Sequence, residues 1–224
     1  DLAPSVDTQT MQMKPGWQVL SQVEQLFDVI TIPESETQLP PGLDLLWVVH
    51  PRTLSPELSV AIDSYVLAGS PLVLAIDPWC EADAQPADAA FGMPGPQPTA
   101  SQFDSFLSAW GLNWSRGYFV ADRDLAQRVQ TMTDRGVEVM DFLAWWNARR
   151  ENLNGDDPIT KGLSSLNLAT VGALSIEENA KTKLVPVVRS SANSQRMLTA
   201  QLGGEINPAT LIQNFVSSGE HQIV

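Results

Sequence analysis

Residues 44–78 read DLLWVVHPRTLSPELSVAIDSYVLAGSPLVLAIDP, and this stretch decides the predicted fold class. Two short apolar runs, residues 43–49 and 71–76, lie near its two ends. A nearly continuous apolar run is typical of a strand that is covered on both faces in a parallel sheet. His50-Pro51 closes the first run and Asp77-Pro78 closes the second. We therefore predict two buried strands.

The segment between these runs carries the signals of a helix. Pro56 suits the first helical turn, and the hydroxyl of Thr53 or Ser55 can cap it. Gly69 ends the helix. The apolar residues that recur at helical spacing are Leu58, Ala61, Ile62, Tyr65 and Val66. The order strand, helix, strand predicts a parallel pair. We therefore expect an α/β fold, an open and mostly parallel sheet with helices on both faces, with a flavodoxin-like or glutamine-amidotransferase-like core.

Shorter patterns predict further elements along the chain. Amphipathic spacing indicates helices over residues 17–27, 103–110, 122–132 and 209–216, and apolar runs indicate strands over residues 28–32, 118–121, 169–176 and 182–189. Pro186 favours an edge strand or a bulge in the last run. For residues 137–146, both helix and strand remain open.

The chain is predicted to form one domain in two parts. Residues 1–150 form the α/β core, with a long loop over residues 81–100 that is rich in Ala, Pro and Asp. Loops of this length are usually functional or disordered. Residues 151–224 form a C-terminal extension that adds strands to the sheet and ends in a polar tail.

Composition limits the classes of function. With 224 residues and 43% apolar content, the chain can bury a sizeable core. A net charge of -13 and a pI near 4.4 argue against binding to nucleic acid or to an anionic membrane surface. No apolar run approaches the roughly eighteen residues of a membrane span. Because the sequence begins at Asp1 without a signal peptide, we expect a soluble piece of a longer protein, with membrane contact only through segments outside it.

The chain contains a single cysteine, Cys80. One cysteine cannot form an internal disulfide, and we also expect no cysteine-based zinc site. We predict neither a metal nor a cofactor. The sequence has no glycine-rich Walker loop, so we do not expect this chain to hydrolyse ATP.

Polar residues follow the two strands of the parallel pair at their carboxyl ends, where ligands of open parallel sheets usually bind. His50 and Arg52 follow the first strand, and Asp77 and Trp79 follow the second. Trp79 would offer a stacking face, Asp77 and Arg52 would be polar anchors, and His50 would be a donor or acceptor. The alternative is that His50 and Asp77 only end their strands by hydrogen bonding to loop amides.

Cys80 suggests the alternative function. It comes directly after the second strand, where hydrolases of the glutamine-amidotransferase type carry their nucleophile, so a small cysteine-dependent hydrolase is possible. The surrounding residues, PWCEA, lack the glycine-flanked elbow that exposes such a nucleophile. Glu81 and Asp83 would also raise the pKa of the thiol. An ordinary loop thiol is the preferred interpretation.

Two further groups have both a functional and a structural interpretation. Acidic and amide residues cluster over residues 151–157, but their spacing fits no helix-loop-helix calcium motif, and a solvated turn is preferred. Trp145 and Trp146 are adjacent indoles. If they point to opposite sides of one element, one of them needs a second apolar layer or a partner. We therefore predict an interaction surface at Trp145 and Trp146, with core packing as the alternative.

Several of these segments resemble a known family. The resemblance rests on the strands ending in His50-Pro51 and Asp77-Pro78, on AIDSYVLAG at residues 61–69, on NGDDPIT at residues 154–160, and on LVP at residues 184–186 followed by Ser190-Ser191. Together they resemble the auxiliary domain of uncharacterised bacterial ABC transport systems, the gliding-motility-associated proteins related to the N-terminal domain of an intraflagellar transport protein. Ser70 departs from the family, which more usually has a second glycine there.

The resemblance implies a function. It implies a non-catalytic auxiliary domain of a membrane-anchored bacterial protein, displayed in the periplasm or elsewhere outside the cytoplasmic membrane. Its partners would be proteins of an ABC transport complex, with a separate ATPase. We expect the domain to bind a partner protein, a glycan or a small ligand through its strand-end loops.

Overall fold

The computed structural model describes residues 5–6, 13–14, 16–83, 99–133, 136–203, 207–221 and 223. Most of the predicted loop over residues 81–100 lies outside this part of the chain. The helices and strands, in chain order, are β1 (Ser5–Val6), β2 (Met13–Lys14), α1 (Gln18–Val23), β3 (Leu46–Val49), α2 (Pro56–Leu67), β4 (Leu72–Ala75), α3 (Asp104–Ala109), β5 (Leu112–Asn113), β6 (Tyr118–Asp122), β7 (Ala126–Thr133), β8 (Gly136–Arg149), β9 (Ser165–Ala169), β10 (Ser175–Ile176), β11 (Ser194–Leu198) and α4 (Pro208–Asn214).

The strand–helix–strand unit is confirmed. Strands β3 and β4 run parallel, and their register pairs Leu46 with Leu72. Helix α2 begins at Pro56, and the cap is Ser55, whose Oγ accepts a hydrogen bond from the amide of Leu58 at 3.0 Å. Just after the helix, Gly69 has φ +87°, a conformation that favours glycine.

The predicted open, mostly parallel sheet is wrong, and the core is neither flavodoxin-like nor amidotransferase-like. Within the described residues, β3 and β4 form the one parallel pair. The other sheets are antiparallel: β1 with β2, β5 with β10, β6 with β11, and β7 with β8 and β9. The strand pairs of residues 151–224 thus include partners from the first part of the chain.

The observed fold differs from the predicted one mainly at residues 122–149, farther along the chain than the parallel pair. The predicted helix over residues 122–132 is wrong, because β7 occupies Ala126–Thr133 and pairs with β8. The open question at residues 137–146 is settled as strand. Non-local pairing over the length of β7 outweighs the helical spacing of its few apolar residues.

Other predicted elements were shortened or lost. The helices at 17–27, 103–110 and 209–216 exist as α1, α3 and α4, and the strand at 118–121 exists as β6. Residues 28–32 form no strand. The predicted strand over residues 169–176 is interrupted between β9 and β10, and residues 182–189 contribute isolated bridges at Val188, which pairs with Leu153, and at Arg189.

Strand β6 separates two hydrophobic clusters. Phe119 and Ala121 pack into one cluster with Phe142, while Val120 packs into the other with Trp146. This alternation follows from the two-residue period of a strand. A third cluster lies around the parallel pair, where Leu46, Leu58, Ile62, Phe103 and Leu107 are buried.

In the described ranges, no helix has both the length and the apolar character that crossing a membrane requires.

Candidate functional site

A hydrogen-bonded group lies at the carboxyl ends of β3 and β4. We call it the strand-end cluster, and it consists of His50, Asp77, Cys80, Asp83, Thr99 and Ser101. Its residues come from the end of β3, from the segment after β4, and from the segment before α3.

His50 links these segments. Its backbone amide donates to the carbonyl of Ala75 at 2.8 Å, which continues the parallel ladder. Its φ of 45° lies in the left-handed region, which costs a non-glycine residue roughly 1–2 kcal/mol. The imidazole Nε2 lies 2.9 Å from Oδ2 of Asp83, and Nδ1 lies 2.8 Å from Oγ of Ser101. The ring is therefore held on both sides.

Ser101 fixes the orientation of that ring. It is fully buried, and its Oγ accepts a hydrogen bond from the amide of Asp77 at 2.9 Å. Its own amide donates to the carbonyl of Asp77 at 2.8 Å. The hydroxyl of Ser101 can donate to an unprotonated Nδ1 of His50 or accept from Nδ1–H, so it can hold the ring in either state.

Burial dominates the electrostatics of the next two groups. It raises the pKa of Asp77 to about 6, although the Trp79 amide, which donates to Oδ1 at 2.7 Å, and the charge of His50 act in the opposite direction. Burial also raises the pKa of the Cys80 thiol, and the carboxylates of Asp77 and Asp83 add to this increase. The thiol is consequently protonated at neutral pH.

The carboxyl of Asp83 shifts in the other direction. Its burial would raise the pKa, but hydrogen bonds from Thr99 and His50 and the charge of Arg52 outweigh this and hold the pKa below its usual range. Asp83 is therefore ionised at neutral pH and offers an anionic oxygen beside His50.

The structure brings three of the four predicted strand-end residues together. His50 and Asp77 meet through Ser101, and Nη1 of Arg52 lies 3.8 Å from Oδ1 of Asp83. Trp79 does not join them. It is half-buried against the hydrophobic cluster that contains Phe119, so it offers no stacking face beside His50.

The two adjacent indoles have different environments. Trp146 is fully buried, and its Nε1 donates to the carbonyl of Val120 at 3.1 Å, so core packing accounts for it. Trp145 is half-buried, and its Nε1 donates to Oε1 of Glu81 at 2.7 Å. An interaction surface at Trp145 stays a prediction.

In the acidic turn at residues 151–157, side-chain oxygens accept hydrogen bonds from nearby backbone amides. Oδ1 of Asn154 accepts from the amide of Asp156 at 3.1 Å, and Oδ1 of Asp157 accepts from the amide of Ile159 at 2.9 Å. These contacts are those of turns that cap their own amides. They agree with the preferred interpretation of a turn.

A cleft of about 370 Å³ opens beside the strand-end cluster. We call it the arginine cleft. Arg52 and Arg116 both line it, and Nε of Arg116 lies 3.6 Å from Oδ2 of Asp104. The lining residues are Arg52, Thr53, Leu54, Ser59, Gln102, Asp104, Ser105, Phe106 and Arg116.

Over residues 5–224 the sequence matches a family that is described as an ABC-type uncharacterized transport system. The chain belongs to this family. The family name indicates an auxiliary component of an ABC-type transport system, and this role is consistent with protein partners in a complex. The match supports the ABC part of the resemblance; the gliding-motility and intraflagellar relationships stay predictions. No curated protein and no solved structure matches the chain.

Several residues of the strand-end cluster and the arginine cleft of this auxiliary component were not identified from the sequence. Ser101 and Thr99 carried no signal, because they reach His50 only through the fold. Asp83 was considered only for its effect on the thiol. Arg116 belongs to no motif, and it reaches the cleft because α3 and the segment after it pack beside the parallel pair.

Proposed function

We propose that this member of the family is a non-enzymatic, ligand-binding auxiliary domain that works outside the cytoplasmic membrane. Its ligand is a small acidic and hydroxylated molecule, such as a sugar acid or the acidic end of a glycan. The observation that carries the proposal is the arginine cleft at the end of β3, where two arginines line one opening in a strongly acidic chain.

The two arginines retain donors for a ligand. Each guanidinium has five N–H donors, and within the described part of the chain each faces one carboxylate, at 3.8 Å for Arg52 and 3.6 Å for Arg116. Their side chains are 48% and 53% exposed, and ion pairs this exposed are weak. A ligand carboxylate can form the stronger bidentate contact.

The rest of the lining suits a hydroxylated ligand. Thr53, Ser59, Gln102 and Ser105 supply hydroxyl and amide groups, and half-buried Phe106 supplies an apolar face. Small-molecule sites commonly enclose about 300–1,000 Å³ and combine an apolar wall with a few polar groups. The cleft falls within this range.

The chemistry of the neighbouring cluster favours binding over hydrolysis. The thiol of Cys80 is held protonated by burial and by two carboxylates. Ser101 is fully buried, so a substrate cannot reach its hydroxyl. Both ring nitrogens of His50 already contact oxygen atoms. These features support a recognition site over a cysteine-dependent hydrolase.

Isothermal titration with sodium glucuronate as the probe tests this proposal. We expect saturable binding that weakens at least about tenfold in Arg52→Gln and in Arg116→Gln, since each loses one charged contact. Arg189→Gln is the matched control, because Arg189 lines a different cavity of about 330 Å³. Equal binding by all four proteins, or hydrolysis of ester substrates that Cys80→Ala abolishes, would overturn the proposal. A reporter fusion, active only outside the cytoplasm, tests the location.

A further inference from the structure

We propose that His50, Cys80 and Asp83 bind a divalent transition-metal ion, with zinc(II) the best match. One nitrogen, one sulfur and one oxygen atom from these three side chains lie within 4.8 Å of one another. This inference rests on side chains other than those that line the arginine cleft, although Asp83 also contacts Arg52. It departs from the sequence analysis, which expected no metal site.

The donor set selects the class of metal. Thiolate and imidazole are ligands of zinc and its neighbours, whereas calcium and magnesium prefer oxygen ligands alone. A mixed site with one cysteine, one histidine and one carboxylate needs no second cysteine. The single Cys80 is therefore sufficient, and metal binding would release the proton that its thiol carries in the metal-free protein.

The geometry is close to that of a metal site. Ligand atoms of a tetrahedral zinc site lie roughly 3.3–3.6 Å apart, as bond lengths of about 2.0–2.3 Å require. Oδ2 of Asp83 already lies 2.9 Å from Nε2 of His50, and the whole set spans at most 4.8 Å. Side-chain movements of about 1 Å would bring the atoms into place.

The backbone holds the three ligands near one another before any ion binds. The amide of Cys80 donates to the carbonyl of Thr99 at 2.9 Å, and the amide of Asp83 donates to the carbonyl of Cys80 at 3.1 Å. His50 is joined to β4 through Ala75. The site therefore does not have to be assembled from free segments.

The surroundings of His50 also fit a metal ligand. A metal-bound histidine usually donates its other ring N–H to a fixed oxygen atom. Here Nδ1 lies 2.8 Å from Oγ of Ser101, which the amide of Asp77 fixes from the far side. The side chains of His50 and Asp83 are 13% and 20% exposed, so an ion can enter and a water molecule can complete the coordination.

Titration of the purified protein with zinc(II) against a chromophoric chelator, and with cobalt(II) by absorption spectroscopy, tests the proposal. We expect one ion per chain and a sulfur-to-cobalt charge-transfer band, which must arise from Cys80 because it is the only cysteine. Cys80→Ser and His50→Ala should each weaken binding more than about 100-fold, since even outer-shell changes cost 10–100-fold. His221→Ala, which removes the other histidine, should bind like the wild type.

A measurement on the wild-type protein decides the matter if a variant fails to fold. Saturating zinc should slow alkylation of Cys80 by iodoacetamide at least about tenfold, and X-ray absorption of the zinc complex should show one sulfur ligand at about 2.3 Å. The proposal would be overturned by the absence of stoichiometric binding or by a zinc site without sulfur. It would also be overturned if Cys80→Ser and His50→Ala bound zinc as tightly as the wild type.

Discussion

The indole Nε1 of Trp145 donates a hydrogen bond to Oε1 of Glu81 over 2.7 Å. Trp145 belongs to β8 of the antiparallel sheet, and Glu81 begins the 3₁₀ turn Glu81–Asp83 that follows the parallel pair. One side-chain contact thus ties the antiparallel part of the chain to the turn that carries Asp83, so the strand-end cluster depends on both parts of the fold.

We expect Trp145→Phe to lower the free energy of unfolding by about 1–2 kcal/mol, because it leaves Glu81 without this donor in a half-buried place. Glu81→Gln should cost less, since its amide oxygen can still accept. Trp17→Phe is the control, because Trp17 is 52% exposed. Urea unfolding measures all three. A Trp145→Phe protein as stable as the control would show that the contact does not hold the turn.

Asp122→Asn should be strongly destabilising. Asp122 is fully buried, and its carboxylate accepts from the amides of Asp124, Leu125 and Ser191 and from Oγ of Ser191. An asparagine must turn its NH₂ group toward one of these donors, so we expect a loss of about 3 kcal/mol. Asp124→Asn, at an exposed carboxylate, should change stability by less than about 0.5 kcal/mol. Chemical denaturation that ranks the two variants equally would contradict this account.

Two glycines with similar backbone angles should respond differently to alanine. Gly69 and Gly111 have φ of +87° and +79°, so each substitution costs roughly 1–2 kcal/mol of strain. A Cβ at Gly69 would meet nothing within 4 Å, whereas one at Gly111 would lie 2.5 Å from Cβ of Ala180. We therefore expect Gly111→Ala to lower the free energy of unfolding by at least about 1 kcal/mol more than Gly69→Ala does, because overpacking typically costs about 1–3 kcal/mol. Thermal unfolding of the two variants makes the comparison, and equal losses would refute it.

The raised pKa of Asp77 predicts a dependence of stability on pH. The folded pKa of about 6 lies above the ordinary 3.8, so the folded state holds the proton more tightly. Stability from this group is fully present below about pH 4 and is lost as pH rises through 6. The charged groups that face it are His50, which lowers the pKa, and Glu81 and Asp83, which raise it.

Asp77→Asn isolates this contribution. The asparagine keeps an oxygen for the Trp79 amide but cannot ionise. In metal-free protein, the stability of the variant relative to wild type should increase by about 2 kcal/mol between pH 4 and pH 7. Unfolding curves at both pH values measure it. A difference that does not change with pH would contradict the prediction.

The parallel pair could be predicted because its signals are local. The apolar runs, Pro56 at the start of α2 and Gly69 after its end all act within a few residues. Strand β7 could not be predicted in the same way. Its apolar side chains also fit a helix, and only pairing with β8 decides between the two. The open parallel sheet was inferred from one strand–helix–strand unit, and the other described residues do not repeat that unit.

The candidate site was predictable in part for a similar reason. His50, Arg52 and Asp77 follow strands that pair in parallel, so their proximity follows from the local pattern. Ser101 lies just before α3, and Arg116 lies between β5 and β6. No spacing in the sequence indicates that they pack beside the parallel pair. Nothing in the sequence indicated that Trp79 packs against the hydrophobic cluster that contains Phe119.

The central claim is that the arginine cleft recognises an acidic, hydroxylated ligand. The most direct test is an NMR titration of ¹⁵N-labelled protein with sodium glucuronate that follows the Nε–Hε signals of Arg52, Arg116 and Arg189. We expect saturable shifts at Arg52 and Arg116, which line the cleft, and none at Arg189. Shifts at Arg189 alone, or no saturable shift at either cleft arginine, would contradict the account.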